Sequence, residues 1–230
     1  MKQIKITAVL FDGRIVTNDG YLPLDGILSR AILLKESPDL IGKPLNSFSD
    51  FVNLTLPIKK IKEDTKDWYY ACSYAFFKKL GEDRVSFNKR YDETAAERFA
   101  DFGKKKSVVD ISRGKYKNYR CTINVILTDK IVWYCLPSSE ESKHQIEELC
   151  DFIKNIGKKP AQGFGIVKEW IVEEIEEEEL LYLLRAIPDK DGKREKTIRP
   201  PYFSLLNVRN VIIPADERLG CNQLYKGAVL

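Results

Sequence analysis

The sequence is poor in the residues that most catalytic and metal sites require. Its 230 residues include a single histidine, His144, and a single methionine. It has no HExxH pair and no closely spaced group of His and Cys that is typical of a metal centre. The sequence therefore predicts no metal site and no cofactor. It offers no convincing catalytic constellation, which favours a binding subunit over an enzyme.

Cysteine usage and hydropathy narrow the class of protein further. The five cysteines are widely spaced and form no CxxC pair, so they are interpreted as reduced, buried thiols of a cytoplasmic protein. No run of about 18 apolar residues occurs, which predicts that no helix crosses a membrane. The chain begins with the strand pattern MKQIKITAVLFD, and we expect no secretory signal.

The charge of the whole chain does not identify a partner. The net charge is +4, and a value this small does not by itself indicate nucleic acid, so local clustering must decide. His144 lies among Ser142, Lys143 and Gln145, a surface pattern, whereas acid–base catalysis would need it beside a scissile group. No catalytic residue is predicted.

The hydrophobic patterns predict an α+β fold. Alternation predicts a first strand, the spacing after Pro23 predicts a helix, and later segments predict a hairpin, a second helix and a last strand. Without a long insertion this order is βαββαβ, the ferredoxin-like or RRM-like arrangement. The predicted segments are 3–10, 24–36, the hairpin 112–127 with 130–136, 138–156 and 165–175. We predict a core domain over 1–188 and an irregular C-terminal extension over 189–230.

Two segments outside this pattern have more than one interpretation. Residues 68–77, WYYACSYAFF, predict a strand whose aromatic rings either pack in the core or stack on bases. Residues 78–112 mix lysines and arginines, Lys89 and Arg90 among them, with aromatic residues and keep no clean period. This insertion is either a basic thumb that clamps nucleic acid or a solvated charged loop.

A basic, glycine-punctuated loop follows the second predicted helix. It reads IGKKPAQGFGIVKEW over 156–170. Glycine tolerates positive φ and lets another chain approach the backbone closely, and Lys158 and Lys159 place two cations at that point. Such a loop suits a phosphate backbone. Its GFG lies between a helix and a strand, whereas a dinucleotide fingerprint lies between a strand and a helix.

Three blocks of the sequence together carry a family resemblance. They are ITAVLFDGRIVTNDGYLPLDGILSRAIL, SRGKYKNY followed by VWYC, and IGKKPAQGFGIVKEW. In this order and spacing the chain resembles the CRISPR-associated RAMP superfamily. Within it, the chain is most similar to the type IV effector subunit that is itself similar to the crRNA 5′-handle-binding subunit of type I complexes. The resemblance covers about residues 4–188.

The resemblance implies a function and a set of contacts. It implies a ferredoxin-like core with a projecting thumb and no nuclease activity. Its implied partners are the crRNA 5′ handle, backbone RAMP subunits, the large subunit of the effector complex and, through the guide, target DNA. Cations along phosphates and aromatic rings beneath splayed bases are how single strands are held. The residues predicted to bind RNA are Lys89, Arg90, Arg113, Lys115, Tyr116, Lys117, Lys158, Lys159, Gly163, Phe164 and Gly165.

Two other functions stay open at this point. A RAMP endoribonuclease that processes the CRISPR repeat RNA would need a base such as His144 or Tyr116 and a cation such as Lys117 at the 2′-hydroxyl. A structural adaptor would bind proteins only.

Overall fold

The structure is a computed structural model that describes residues 2–17, 20–38, 54–92, 110–176 and 180–213. The chain divides into two compact units. The larger unit comprises Met1–Gly81 and Ile126–Leu230, and the smaller unit comprises Glu82–Val125. The described residues form an α+β fold with mostly antiparallel sheets and two helices, which confirms the predicted class.

The elements have the following bounds in chain order. The helices are α1 Leu24–Glu36 and α2 Ser142–Phe152. The strands are β1 Lys2–Leu10, β2 Arg14–Ile15, β3 Lys60–Ile61, β4 Tyr69–Tyr70, β5 Gly81–Lys89, β6 Tyr119–Leu127, β7 Lys130–Cys135, β8 Val167–Glu176, β9 Ile187–Pro188, β10 Arg194–Thr197 and β11 Val208–Ile212. No helix in these ranges is long and apolar enough to span a membrane.

The core of the larger unit is built on a sheet of order β7-β1-β8, and both pairings are antiparallel. Alternate residues of β1, Ile4, Ile6 and Ala8, are buried in the main hydrophobic cluster. Side chains of a strand alternate between the two faces of the sheet, so this pattern buries one face. Leu28 of α1 and Ile146 of α2 belong to the same cluster. The period-2 and period-3.6 patterns therefore identified the elements that pack together.

The aromatic segment 68–77 lies on the other side of β7. Cys72 and Phe76 form antiparallel bridges with Cys135 and Val132, and Phe76 and Val132 exchange two backbone hydrogen bonds of 2.8 Å. The rings of this segment are mostly buried: Tyr69, Tyr70, Tyr74 and Phe76 are at most 7% exposed. The interpretation of these aromatic residues as core is confirmed.

The predicted hairpin of 112–127 with 130–136 is wrong. β6 belongs to a different sheet, of order β2-β6-β5, and Leu127 pairs with Arg14. The two residues between β6 and β7 bond to the first connection of the chain: Thr128 N–H donates to Gly13 O, and Asp129 O accepts from Leu10 N–H. The chain therefore passes from one sheet into another at a point where the sequence resembles a two-residue turn.

The second helix ends earlier than its hydrophobic period predicts. α2 ends at Phe152, although Ile156 is still buried. Beyond the helix the chain runs beside the start of β8: Val167 N–H donates to Lys154 O, and Ile156 N–H donates to Gly165 O. These tertiary hydrogen bonds replace the last helical turn, and they bury Ile156 without helical geometry.

The C-terminal extension is more regular than predicted. Strands β9, β10 and β11 form an antiparallel sheet of order β10-β11-β9. Residues 214–230 lie outside the described part of the chain, as do 93–109, which include the basic run 104–106.

A buried ion pair connects α1 to Arg185, which lies just before this extension. The side chains of Asp25 and Arg185 are 0% exposed and lie 3.3 Å apart. The Arg185 guanidinium also donates to Tyr70 O at 2.7 Å and to Ile198 O at 2.6 Å. Tyr202 Oη donates to Asp25 Oδ1 at 2.6 Å. Because buried charges must be paired and hydrogen-bonded, this network fixes the extension to the core.

The cysteines follow the prediction with one exception. Cys72, Cys135 and Cys150 are buried and free, and burial raises the pKa of all three thiols. Cys121 is also free, but it is exposed on β6, so its interpretation as a buried residue is wrong. Its neighbours suggested an apolar strand, and one face of β6 is solvated. Cys221 lies outside the described residues.

Candidate nucleic-acid interface

The glycine-rich loop of the larger unit joins α2 to β8. Gly157, Gly163 and Gly165 have φ of 80°, 84° and 67°, and Lys159 has φ of 62°. Positive φ is routine for glycine and uncommon for lysine. Between them Pro160–Gln162 form one 3₁₀ turn. The loop therefore needs glycine at three positions and holds one cationic residue in a left-handed conformation.

Two of these glycines allow close approach within the chain itself. A Cβ on Gly157 would lie 2.7 Å from Val16 O, and a Cβ on Gly165 would overlap Ile156 O. At Gly163 nothing lies within 4 Å of such a Cβ. The close approach that the sequence predicts is thus made to the chain's own backbone at two positions, and Gly163 is the open one.

Backbone hydrogen bonds hold the loop against β2. Lys158 N–H donates to Val16 O and Gly165 N–H donates to Arg14 O, both at 2.8 Å. Within the 3₁₀ turn, Gly163 N–H donates to Pro160 O at 2.9 Å. The loop is therefore fixed at both ends, which sets the backbone from which Lys158 and Lys159 project.

The side chains of the loop divide into a buried ring and exposed cations. Phe164 is 2% exposed, and the Arg14 guanidinium lies 5.5 Å from its ring centroid. Any contact between RNA and Phe164 in this conformation would come from its backbone. Lys158 and Lys159 are exposed, and neither forms an ion pair with a described residue. Both charges are available to a ligand.

Arg14 is a neighbour of this loop that sequence reasoning missed. Its guanidinium forms an ion pair of 2.6 Å with Asp12 and lies over Phe164. The available signal was the Asp-Gly-Arg sequence at 12–14. It predicts a turn but does not indicate that Arg14 lies over the ring of Phe164. Asp12 neutralises Arg14, so we assign Arg14 to bracing the loop and not to ligand binding.

The remaining predicted RNA-binding residues belong to the smaller unit. Its described part consists of β5, one 3₁₀ turn at Gly114–Tyr116 and β6, which lies next to β5 in the sheet. Gly114 has φ of 66° with open space around it. Arg113, Lys115 and Lys117 are exposed on and beside this turn. Here the structure places the basic block on a short turn before β6, where the sequence predicted the start of the strand.

Contacts within the smaller unit fix the turn that carries these cations. Lys89 Nζ donates to Lys115 O at 2.6 Å, and Tyr91 N–H donates to Asn118 Oδ1 at 2.6 Å. The rings of Tyr91 and Tyr116 pack edge to face with centroids 5.4 Å apart. Tyr116 is still 48% exposed. Asn118 and Tyr91 were absent from the predicted site, although both position this turn.

The charge of the smaller unit is predominantly positive. Its described residues include seven exposed cations and four acids, Glu82, Asp83, Asp92 and Asp110. The cations are Arg84, Lys89, Arg90, Arg113, Lys115, Lys117 and Arg120, and none forms an ion pair with a described residue. Surface charges without partners attract an anionic ligand most effectively.

His144 lies apart from any cationic cluster on its own helix. Its side chain is 77% exposed, and its nitrogens lie 3.8 Å and 3.4 Å from carboxylate oxygens of Glu147 and Glu148. These carboxylates add negative charge where a phosphodiester would have to approach the imidazole. Among the described residues no group of His, Cys, Asp and Glu could hold a metal ion.

Comparison with known protein families identifies a match. A family model described as CRISPR type IV associated protein Csf3 matches residues 12–214. This range contains the glycine-rich loop and the whole of the smaller unit. No curated protein matches the chain.

Proposed function

The chain belongs to the Csf3 family of CRISPR type IV associated proteins, and from this premise we propose that it is a non-catalytic subunit that binds crRNA. Type IV association implies partner Cas subunits. In our proposal the chain caps the 5′ handle of the guide RNA and anchors the backbone subunits, while the large subunit joins the same complex. Base pairing by the guide then selects the target DNA.

One observation carries this proposal: the described part of the smaller unit carries seven exposed cations, none in an ion pair with a described residue, together with the exposed ring of Tyr116. Neutralising phosphates releases counterions, which supplies most of the affinity of sequence-independent binding. An exposed aromatic ring adds a platform for one base. Cations and an aromatic ring on one unit together support a nucleic-acid ligand.

The glycine-rich loop supplies a second contact in this proposal. Lys158 and Lys159 project from a backbone that is hydrogen-bonded to β2, so little conformational entropy of the loop is lost when RNA binds. The open space at Gly163 admits a phosphate or ribose beside the backbone. The loop thus suits the backbone of RNA more than its bases.

We also infer that the larger unit has a ferredoxin-like core. If the segment 71–76 takes the place of the second strand, the elements β1, α1, 71–76, β7, α2 and β8 follow the βαββαβ order. Their spatial order is then β8, β1, β7 and 71–76, as in that fold. The bridges between 71–76 and β7 support this assignment.

The proposal is tested by filter binding of a 5′-handle RNA over a range of salt concentrations. One variant combines Lys158→Ala with Lys159→Ala, and a second combines Arg113→Ala with Lys117→Ala. Each pair removes two phosphate contacts, so we expect the salt slope to fall by about 1.4 units and the affinity to fall roughly tenfold.

A matched control removes the same charge elsewhere. Lys190 and Lys193 are exposed in the C-terminal extension, and their double alanine variant changes the net charge equally. We expect it to bind the handle like the wild type. If all three double variants bind alike, the chain does not bind RNA at these surfaces, and an adaptor role replaces the proposal.

A further inference from the structure

The central sheet of the larger unit has a free edge along β8. In the order β7-β1-β8, one side of β8 bonds to β1. On its other side, the bridge between Asn155 and Ile166 and the hydrogen bond from Val167 N–H to Lys154 O reach only the start of the strand. From residue 168 to 176 no described residue pairs with that side.

The register shows which backbone groups point outward. Val132 and Tyr134 direct their backbone groups away from β1, because Val132 bonds with Phe76 and Tyr134 O accepts from Ser73 N–H. Their partners Thr7 and Lys5 therefore bond to β8, opposite Ile171 and Glu173.

Successive residues of a strand direct their backbone N–H and C=O groups to opposite sides of the strand. It follows that the intervening residues of β8, Trp170, Val172 and Glu174, direct N–H and C=O to the free edge. Neighbouring strands lie about 4.8 Å apart, so an added strand would meet these groups directly. Nine residues of edge extend over about 30 Å.

The edge lacks most of the features that keep strands apart. Residues 168–176 contain no proline. Val9 and Leu10 of β1 pair with Glu169 and Val167, so the extra residue of a β-bulge is Lys168 at the start of the edge, and residues 169–176 keep one register. Native edges are commonly protected by proline, bulges or lysine. Lys168 is the one lysine here, against four glutamates. The backbone groups of the edge are therefore accessible to another strand, and its negative charge favours a basic one.

The glutamates decide which chain can occupy the edge. Glu173 and Glu174 pair with Lys5 and Lys2 at 3.9 Å and 3.6 Å. Glu169 and Glu176 are exposed and have no cationic partner among the described residues. A phosphate backbone is repelled by these carboxylates.

A second copy of the same strand is disfavoured for the same reason. With four glutamates and one lysine, residues 168–176 carry a formal charge of +1 − 4 = −3. Pairing two such strands would bring like charges together across the sheet.

We propose that the free edge of β8 binds an extended segment of a partner Cas subunit that carries Lys or Arg on both faces, one opposite Glu169 and one opposite Glu176. The segment adds a strand to the sheet through backbone hydrogen bonds, and its cations meet Glu169 and Glu176. Ile171 and Ile175, half-buried on the same face as Glu169, provide apolar contacts beside that carboxylate, and Glu176 lies on the opposite face. This inference rests on the proposed role as a subunit of an effector complex.

The test uses the full chain coexpressed with its partner Cas subunits and a guide RNA. Hydrogen exchange is measured at the amides of Trp170, Val172 and Glu174 in the purified complex and in the free chain. We expect exchange at least tenfold slower in the complex. Equal rates in the two samples overturn the proposal, including the case in which the free chain already protects its own edge.

A proline and alanine pair isolates the backbone contribution. Glu174→Pro removes an outward N–H and leaves the hydrogen bonds to β1 in place, whereas Glu174→Ala removes the same carboxylate and keeps the N–H. We expect at least tenfold weaker assembly with one protein partner for Glu174→Pro alone. Equal assembly of the two variants rejects strand addition.

A double charge reversal tests the same proposal without a proline, so its result does not depend on whether the proline variant folds. Glu169→Lys with Glu176→Lys keeps every backbone group and reverses the two unpaired charges, and we expect it to weaken the same partner. Unchanged assembly of this variant overturns the basic-segment assignment. Handle-RNA binding by each variant is measured separately, so loss of the RNA function and loss of strand addition are distinguished.

Discussion

Asp25 and Arg185 lie 160 positions apart in the chain and form an ion pair with both side chains fully buried. Burial by itself lowers the pKa of the Arg185 guanidinium, and Asp25 together with Tyr202, Cys72 and Tyr21 outweighs it, so its pKa lies well above its ordinary value. Arg185 therefore stays charged. The pair joins Arg185 to α1, and its hydrogen bonds with Ile198 and Tyr202 hold the C-terminal extension against this helix.

Removing one partner of this pair leaves the other charge buried and alone. For Arg185→Met we expect unfolding to be easier by about 3–5 kcal/mol. Urea unfolding monitored by circular dichroism measures this change. Lys193→Met, at an exposed position of the C-terminal extension, should shift the midpoint little. A double-mutant cycle with Asp25→Asn should show coupling, and additive effects would contradict a direct pair.

Stability should fall in alkaline solution because several buried groups resist ionisation. Burial raises the pKa of Cys150 to about 12 from 9.0 and that of Tyr70 to about 12 from 10.0. The folded state thus holds protons that the unfolded state releases. The stabilisation is complete below pH 9 and is lost as the pH rises toward 12.

Urea midpoints between about pH 8 and about pH 11 test this expectation. Cys150→Ala removes one of the groups, so its midpoint should depend less steeply on pH than that of the wild type. A wild-type midpoint that stays constant over this range would rule out the buried-proton explanation.

Replacing two glycines of the glycine-rich loop by alanine should lower the stability of the protein by clearly different amounts. At Gly165 the new Cβ would overlap Ile156 O, whereas at Gly163 it would meet open space. Both positions carry the cost of positive φ, about 1–2 kcal/mol. We expect Gly163→Ala to lose about this much stability and Gly165→Ala to lose clearly more. Thermal unfolding of both variants measures the difference, and equal losses would refute the intramolecular close approach.

Tyr116 should contribute to binding of the handle RNA through its ring and not through its hydroxyl. Stacking of a base on an aromatic ring is worth about 1–3 kcal/mol, so Tyr116→Ala should weaken handle binding by that amount. Tyr116→Phe keeps the ring and its edge-to-face partner Tyr91, and we expect near wild-type affinity. Filter binding compares the two. If phenylalanine weakens binding as much as alanine, a hydrogen bond and not stacking is responsible.

The absence of nuclease activity is a separate prediction. Repeat RNA incubated with the purified chain in chelator should remain intact, because His144 is exposed on its helix between two carboxylates that repel a phosphodiester. A site-specific cut that His144→Ala abolishes would establish the endoribonuclease instead. A cut that survives this substitution would point to a contaminating enzyme or to another residue such as Tyr116.

Several elements of the fold could be predicted because their signals are local. The alternation in β1 and the 3.6 spacing in α1 identify one strand and one helix, and both pack as their patterns imply. The prediction of a hairpin of 112–127 with 130–136 was wrong because strand pairing there depends on distant segments of the chain. A two-residue connection looks the same whether the strands pair or part, and bonds to Gly13 and Leu10 decided it.

The glycine-rich loop shows the same division within the candidate site. Its glycines and lysines by themselves determined that the backbone turns through positive φ and that two cations stay in water. Only the tertiary structure decided that Gly157 and Gly165 serve the chain's own packing and that Phe164 is buried. The conformation of a residue depends on itself and its neighbours. Its burial depends on chain segments that the sequence places far away.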